Sequence, residues 1–346
     1  MNTQRTRGTS APRSPAGASP VLDIRGLRLR LPHTVRPVLD GVDLTVTAGE
    51  TVALVGESGS GKTLTSRSAL RLLPPGATTE GTVEVAGEDV LTMTAARLRA
   101  LRTGTAAMIF QDPRAAINPL RRIGDFLTES LRLNAGTPAE EAERRAGEML
   151  VAVGLTPAAM RHYPGQLSGG MLQRVMIAAA LMGEPALLLA DEATTALDVT
   201  TQAEVVALLG DLRDRFGTGL LFVTHDLGLA ATISDRVYVM YAGRIVETGP
   251  ADTLFARPRH PYTAALLAAT PRLDAPQGRL NAIDGQPPDL RVELTGCPFA
   301  PRCVHATALC TEQAPGDRAV TDGPAGRAHR VACHHSDRLQ GSAAHD

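Results

Sequence analysis

Tryptophan is absent from the 346 residues, and the other aromatics amount to six Phe and four Tyr. The hydrophobic fraction of 43% still permits a sizeable core, but one built from Ala, Leu and Val, through many small contacts rather than a few large rings. Excess charge of either sign is also missing. A formal net charge of −1 excludes the broad basic field of a nucleic-acid binder, so no nucleic-acid partner is expected. Long apolar runs are lacking: Val175 to Met182 and Ala186 to Ala190 fall far short of the ~20 residues that a membrane helix needs. The first twenty residues are rich in Arg, Ser, Pro, Gly and Thr and have no apolar middle of the secretory kind, which predicts a disordered tail over 1–20. The length suits one large α/β domain and an appendage.

Lysine is the scarcest charged residue, with Lys62 the single example among the basic side chains. It stands in Gly56-Glu57-Ser58-Gly59-Ser60-Gly61-Lys62-Thr63, after the apolar run Thr51-Val52-Ala53-Leu54-Val55 and before a helix-forming stretch. Strand, glycine-rich loop and helix make the context of a phosphate-binding loop. Its amides turn inward around phosphate oxygens, and the following helix presents its positive end to the same anion. In a chain otherwise committed to arginine, this position keeps a compact ammonium on a flexible stem that can reach the β- and γ-phosphates.

Loose alternation predicts strands at Val21–Leu31 and Val42–Val46, with further strands at Thr82–Ala86 and Thr105–Gln111. Leu64 to Leu73 reads as a helix stopped by Pro74-Pro75-Gly76. A helical insertion follows from Ile123 to Met160, and helix resumes from Gly170 to Met182. Ala186 to Ala190 is an apolar strand, Gln202 to Phe216 a helix, and Leu220–Thr224 and Val237–Met240 are strands. Strands alternating with helices imply a parallel sheet covered on both faces. Pro, Gly and Arg thicken after Thr270, which marks a boundary.

Asp191 and Glu192 stand where an apolar strand ends. Beside a phosphate loop, Asp191 can support Mg²⁺ together with the Thr63 hydroxyl, and Glu192 can orient or deprotonate an attacking water. Leu167-Ser168-Gly169-Gly170-Met171 is a second glycine turn before a helix, with Ser168 a natural N-cap. Gln111 after Met108-Ile109-Phe110, and His225 after Leu220–Thr224, are ambiguous taken singly. Their order decides.

Gly56–Thr63, Gln111, Leu167–Met171, Asp191–Glu192, Leu197–Asp198 and His225, in that sequence, resemble the ATP-binding cassette (ABC) ATPases over residues 21 to about 250. The resemblance implies an α/β fold: a P-loop ABC core over 21–270 with a β-subdomain and a helical insertion at about 112–180. It further implies a head-to-tail dimer in which Ser168, Gly169 and Gly170 of one subunit, with Asp198, meet the ATP held by Gly56, Glu57, Ser58, Gly59, Ser60, Gly61, Lys62 and Thr63 of the other. Thr63, Gln111 and Asp191 would serve Mg²⁺, with Glu192, His225 and Gln111 as the hydrolytic groups. The sequence departs from the family in three places. No aromatic lies between Val21 and Glu50 to stack the adenine, leaving His33, Val35 or Arg36; Met171 replaces the usual Gln, and Ala193 the usual Pro.

Gln111-Asp112-Pro113, Ile117-Asn118-Pro119, Thr194-Thr195-Ala196-Leu197-Asp198-Val199-Thr200 and His260-Pro261-Tyr262-Thr263 are similar to the ATPases of oligopeptide, dipeptide and nickel importers. In those systems two ATPases, usually non-identical, act with two membrane permeases and an external solute-binding protein at the cytoplasmic face. The expected cargo is a di- or oligopeptide. Nickel or another small solute, and a soluble non-transport ABC ATPase, are the alternatives.

No cysteine precedes Cys297, and all four, Cys297, Cys303, Cys310 and Cys333, fall in the expected C-terminal domain, 271–346. Four thiolates suit Zn²⁺ or an iron–sulfur cluster. The spacing lacks the close C-x2-C pairs of zinc ribbons, which favours iron, while His305, His334 and His335 keep a mixed zinc site open. The tail also looks like that of importer ATPases with a [4Fe–4S] cluster, and the resemblance implies one here.

Overall fold

The computed structural model describes residues 19–134, 136–195, 197–270, 283–320 and 329–337. The tail expected over 1–20 lies almost wholly outside them. Twelve strands are present among the described residues: β1 (Pro20–Arg30), β2 (Leu39–Thr47), β3 (Thr51–Val55), β4 (Thr78–Val85), β5 (Glu88–Asp89), β6 (Ala106–Ile109), β7 (Leu187–Asp191), β8 (Gly219–Thr224), β9 (Arg236–Tyr241), β10 (Arg244–Pro250), β11 (Arg318–Val320) and β12 (His329–Val331). They form two sheets, ordered β2-β1-β4-β5 and β11-β12-β10-β9-β3-β8-β7-β6.

Hydrophobic pattern sorts the strands between the sheets. In β3, β7 and β8 every residue is buried, as expected of strands covered on both faces, and they pair parallel with one another and with β6 and β9. In β2, burial alternates along the strand, and its sheet is antiparallel throughout. The parallel sheet predicted from the sequence is therefore the run β9-β3-β8-β7-β6 of the eight-stranded sheet, ending at edge strand β6. β10 and β12 extend that sheet in antiparallel fashion. Through β12, which pairs with β10, and β11, which pairs with β12, two short strands beyond residue 270 belong to the main sheet.

The insertion is helical, as expected. Helices Ile123–Asn134 and Ala139–Ala152 pack on Gly169–Leu181, burying Leu127, Leu131, Leu150, Leu172 and Val175, with Ala142 and Ala146 allowing close approach. Several helices differ from expectation, Leu227–Ile233 and Ala251–Ala256 among those not foreseen, and two cases have a local physical reason. The helix after the phosphate loop spans Lys62–Ser68 and stops before Leu73, because Arg71 takes a left-handed conformation (φ 48°) ahead of Pro74-Pro75. Ala95–Gly104 forms a helix that the sequence reading missed. Its apolar contribution is Leu98 and Leu101 among arginines, and the Thr94 hydroxyl caps it by accepting from Arg97 N–H at 3.3 Å.

Helix Pro261–Ala269 begins as the sequence suggested, with Pro at its first position and His260 as cap. The His260 Nδ1 accepts the Tyr262 amide at 3.0 Å. Burial pushes this imidazole down to about 4, so it is neutral at physiological pH and keeps that lone pair. The Glu247 carboxylate, fully buried, accepts the amides of Arg259 and His260 at 2.6 and 3.0 Å. Tyr262 is thus fixed from below.

Candidate nucleotide site

β3 delivers the loop Gly56–Thr63 to the carboxyl end of the parallel sheet, the end at which such sheets bind ligands. Glycine is required at two of its positions. Gly56 has φ 153°, and a Cβ there would stand 2.2 Å from the Met240 carbonyl; Gly61 has φ 111° and would meet Leu39 and Met240 side chains at 2.7 and 2.9 Å. The loop lies flat on β9 because neither residue has a side chain. Lys62 is 4% exposed, and its ammonium donates to the carbonyls of Gly56 and Glu57 at 2.8 and 2.9 Å. Burial lowers its pKa from the ordinary lysine value, opposed by Glu192, Asp191 and Glu57.

β7 delivers two carboxylates to the same place. Asp191 is buried, accepts from the Thr63 hydroxyl at 3.0 Å, and faces the Arg67 guanidinium at 3.7 Å. Burial pushes its pKa up, against the pull of Thr63 and Arg67. Glu192 follows with φ 49°, a conformation that costs a non-glycine residue about 1–3 kcal/mol and that turns its side chain out of the strand. Gln111 donates to Glu192 Oε2 at 3.0 Å, Thr195 does so at 3.3 Å, and His225 Nδ1 lies 3.5 Å from Oε1. Lys62, Thr63, Asp191, Glu192, Gln111 and His225, which the sequence spreads over nearly half its length, therefore meet at one pole of the sheet. Thr63 and Asp191 present an oxygen pair of the hard kind that Mg²⁺ takes.

A family model described as "ABC transporter" matches residues 39–195, and another, "Oligopeptide/dipeptide transporter, C-terminal region", matches residues 246–310. The "Oligopeptide transport ATP-binding protein OppD" of Haemophilus influenzae is 44% identical over 296 residues, covering 84% of this chain and 92% of that protein. The chain belongs to the ABC transporter family. The protein of the same name from Salmonella typhimurium is 43% identical over 310 residues, covering 88% of this chain and 92% of that one. Among solved structures, the dimeric form of a bacterial ABC transporter cassette superposes with a TM-score of 0.59 at 27% identity, over 66% of this chain and 98% of that one. The same cassette is known in a post-hydrolysis state bound to ADP and phosphate, with equal scores. The cbiO1 protein of Clostridium perfringens shares the fold, with a TM-score of 0.61 at 24% identity over 68% of this chain and 91% of that one.

In this ABC ATPase the remaining expected nucleotide residues form a second group. Ser168 caps Gly169–Leu181, accepting the Met171 amide at 3.2 Å. Asp198 caps Val199–Phe216, accepting from the Thr201 amide and hydroxyl at 3.0 and 2.8 Å. Thr201 closes the group, since a Cβ on Gly170 would lie 2.8 Å from its methyl carbon. Ser168 is thus the helix N-cap that the sequence suggests. A Cβ on Gly169 would meet nothing within 4 Å, so this helix start is open on one side.

The four cysteines line one small cavity, with Phe299, His305 and His335 among its other walls. Cys297 and Cys310 are tied through the Cys297 N–H, which donates to the Cys310 carbonyl at 2.7 Å. Burial raises the thiols of Cys297 and Cys303, and that of Cys333 to about 11, so all three are protonated at neutral pH unless a cation draws them. Sharing a cavity does not by itself support the expected metal centre. Among the described residues no three His, Cys, Asp or Glu are grouped so as to hold a metal ion. His33, Val35 and Arg36, expected at the adenine, are partly engaged elsewhere: the Val35 and Arg36 amides donate to the Leu290 carbonyl at 3.1 and 3.2 Å, and the Arg36 side chain to three further carbonyls.

Sequence reading missed Arg67, Arg302 and Tyr262. Arg67 was detectable, one helical turn beyond Thr63 and so on the same face. Nothing local marks the other two.

Proposed function

We propose that this chain hydrolyses ATP to drive uptake of di- or oligopeptides through partner membrane proteins. One observation carries the reading: the phosphate loop, Asp191, Glu192, Gln111 and His225 converge at one site in a chain whose C-terminal part matches the oligopeptide/dipeptide region. Lys62 and the loop amides hold the β- and γ-phosphates, while Thr63 and Asp191 would hold Mg²⁺, which when bound neutralises phosphate charge. Glu192 orients a water and takes its proton as the new P–O bond forms and the bond to the β,γ-bridging oxygen breaks. His225 and Gln111 hold that carboxylate in place.

Ser168, Gly169, Gly170 and Asp198 face a second cassette in this reading, closing on its nucleotide. The relatives named for oligopeptide transport favour a peptide cargo over nickel. Two permeases, a second and non-identical ATPase, an external binding protein and a place at the cytoplasmic face of the membrane complete the proposed assembly. No helix among the described residues is long and apolar enough to cross a membrane. Purified from native membranes, the chain is expected to bring permeases and a second ATPase with it. In vesicles that complex should hydrolyse ATP faster with peptide-loaded binding protein. Recovery without membrane partners, or stimulation by Ni²⁺ and not by peptide, overturns the reading.

The four cysteines are assigned an iron–sulfur cluster of the [4Fe–4S] type rather than Zn²⁺. In support, all four line one cavity, and their spacing lacks the close C-x2-C pairs of zinc ribbons. Anaerobic purification should give a brown protein with iron and sulfide in about equal amounts. A colourless protein with stoichiometric zinc rejects the cluster.

A further inference from the structure

Glu57, second in the phosphate loop, is gripped by the C-terminal part of the chain. Its amide donates to the Tyr262 hydroxyl at 2.8 Å, and its carboxylate receives both arms of the Arg302 guanidinium at 2.8 and 2.9 Å. Its carbonyl is one of the two that hold the Lys62 ammonium. The Arg302 side chain is 4% exposed, and its remaining donors reach the carbonyls of Ile283 and Asp284 and the Tyr241 hydroxyl. The guanidinium also lies over the rings of Tyr241 and Phe299, 5.7 and 5.9 Å from their centroids. Those rings pack with Tyr262, the Tyr241 and Tyr262 centroids being 4.6 Å apart. Cys303 is the next residue after Arg302, and Phe299 is a wall of the cysteine cavity.

We propose that Arg302 is a positioning residue for nucleotide: by clamping Glu57 it sets the phosphate loop, so the cysteine-bearing segment governs ATP affinity. A forked, planar cation is needed, because only guanidinium can take both carboxylate oxygens while its other donors satisfy the carbonyls behind it. A buried ion pair can exist without functional purpose. Here, however, the acid belongs to the loop that carries Lys62, and the base to the segment that carries the thiols. The inference rests on the ATPase reading.

The test is MgATP binding and steady-state hydrolysis by the purified full chain bearing Arg302→Lys, Arg302→Gln, Glu57→Gln, or Glu57→Gln with Arg302→Gln. With Arg302→Gln, Kd and KM for ATP should rise about tenfold while kcat at saturation moves far less, and Arg302→Lys should recover part of the loss. The double variant should bind no worse than the weaker single one, since both changes break one contact. Should Arg302→Gln fail to fold, Arg302→Lys and Glu57→Gln carry the same measurement. Unchanged Kd and KM with only a lowered Tm, or losses that simply add, would overturn the clamp. An unsubstituted chain that neither binds nor hydrolyses MgATP overturns the ATPase reading and the clamp with it; an active one with insensitive variants overturns the clamp alone.

Discussion

Glu192→Gln should lower steady-state ATP hydrolysis by about 10²–10⁴-fold, the range for loss of a general base, while MgATP affinity stays within a few-fold. The amide is isosteric and can still accept from Gln111 and Thr195, which now hold the carboxylate at 3.0 and 3.3 Å. It cannot take a proton from water. Affinity is kept because Asp191 and Thr63, 3.0 Å apart, and Lys62 form the binding half of the site and touch Glu192 only through its charge. With binding intact and turnover stopped, the two-cassette assembly should persist in MgATP and be visible as a dimer on gel filtration. Turnover within tenfold of the unsubstituted chain would remove Glu192 from the chemistry.

Lys62→Ala should weaken MgATP binding by about 10²-fold. The ammonium is buried, its pKa lowered by that burial, and its two present partners are neutral carbonyls at 2.8 and 2.9 Å. A desolvated cation with only neutral partners gains most when an anion arrives. Charge-assisted bonds of this kind contribute roughly 1.5–3 kcal/mol, and the upper end corresponds to the stated loss. Lys62→Arg should not restore binding, because a planar guanidinium does not fit between Gly56 and Glu57 carbonyls that approach a single nitrogen. Calorimetric titration decides it. Equal affinity for the lysine and alanine forms would refute the phosphate assignment.

Both expectations use residues that were legible in the sequence, for physical reasons. A phosphate loop needs glycine where β9 passes within van der Waals reach, and that requirement wrote Gly56 and Gly61 into a contiguous motif. The continuous apolar run Leu187–Ala190 similarly announced a strand covered on both faces, and its end gave Asp191 and Glu192. Contacts between distant segments leave no such trace. Arg302 lies 245 positions from Glu57 in a stretch whose composition signals only a boundary. His260-Pro261 was readable as a helix start, yet the helix serves to aim the Tyr262 hydroxyl at the loop, which no local pattern shows. Strand β12 escaped for the same reason, being three residues long and held to β10 by tertiary contact.

The scarcity of rings has an optical side. With no tryptophan to dominate it, ultraviolet emission must come from four tyrosines, and two of them, Tyr241 and Tyr262, bear directly on Arg302 and Glu57. Should ATP binding shift the loop as proposed, the emission of the unlabelled protein is expected to change with it.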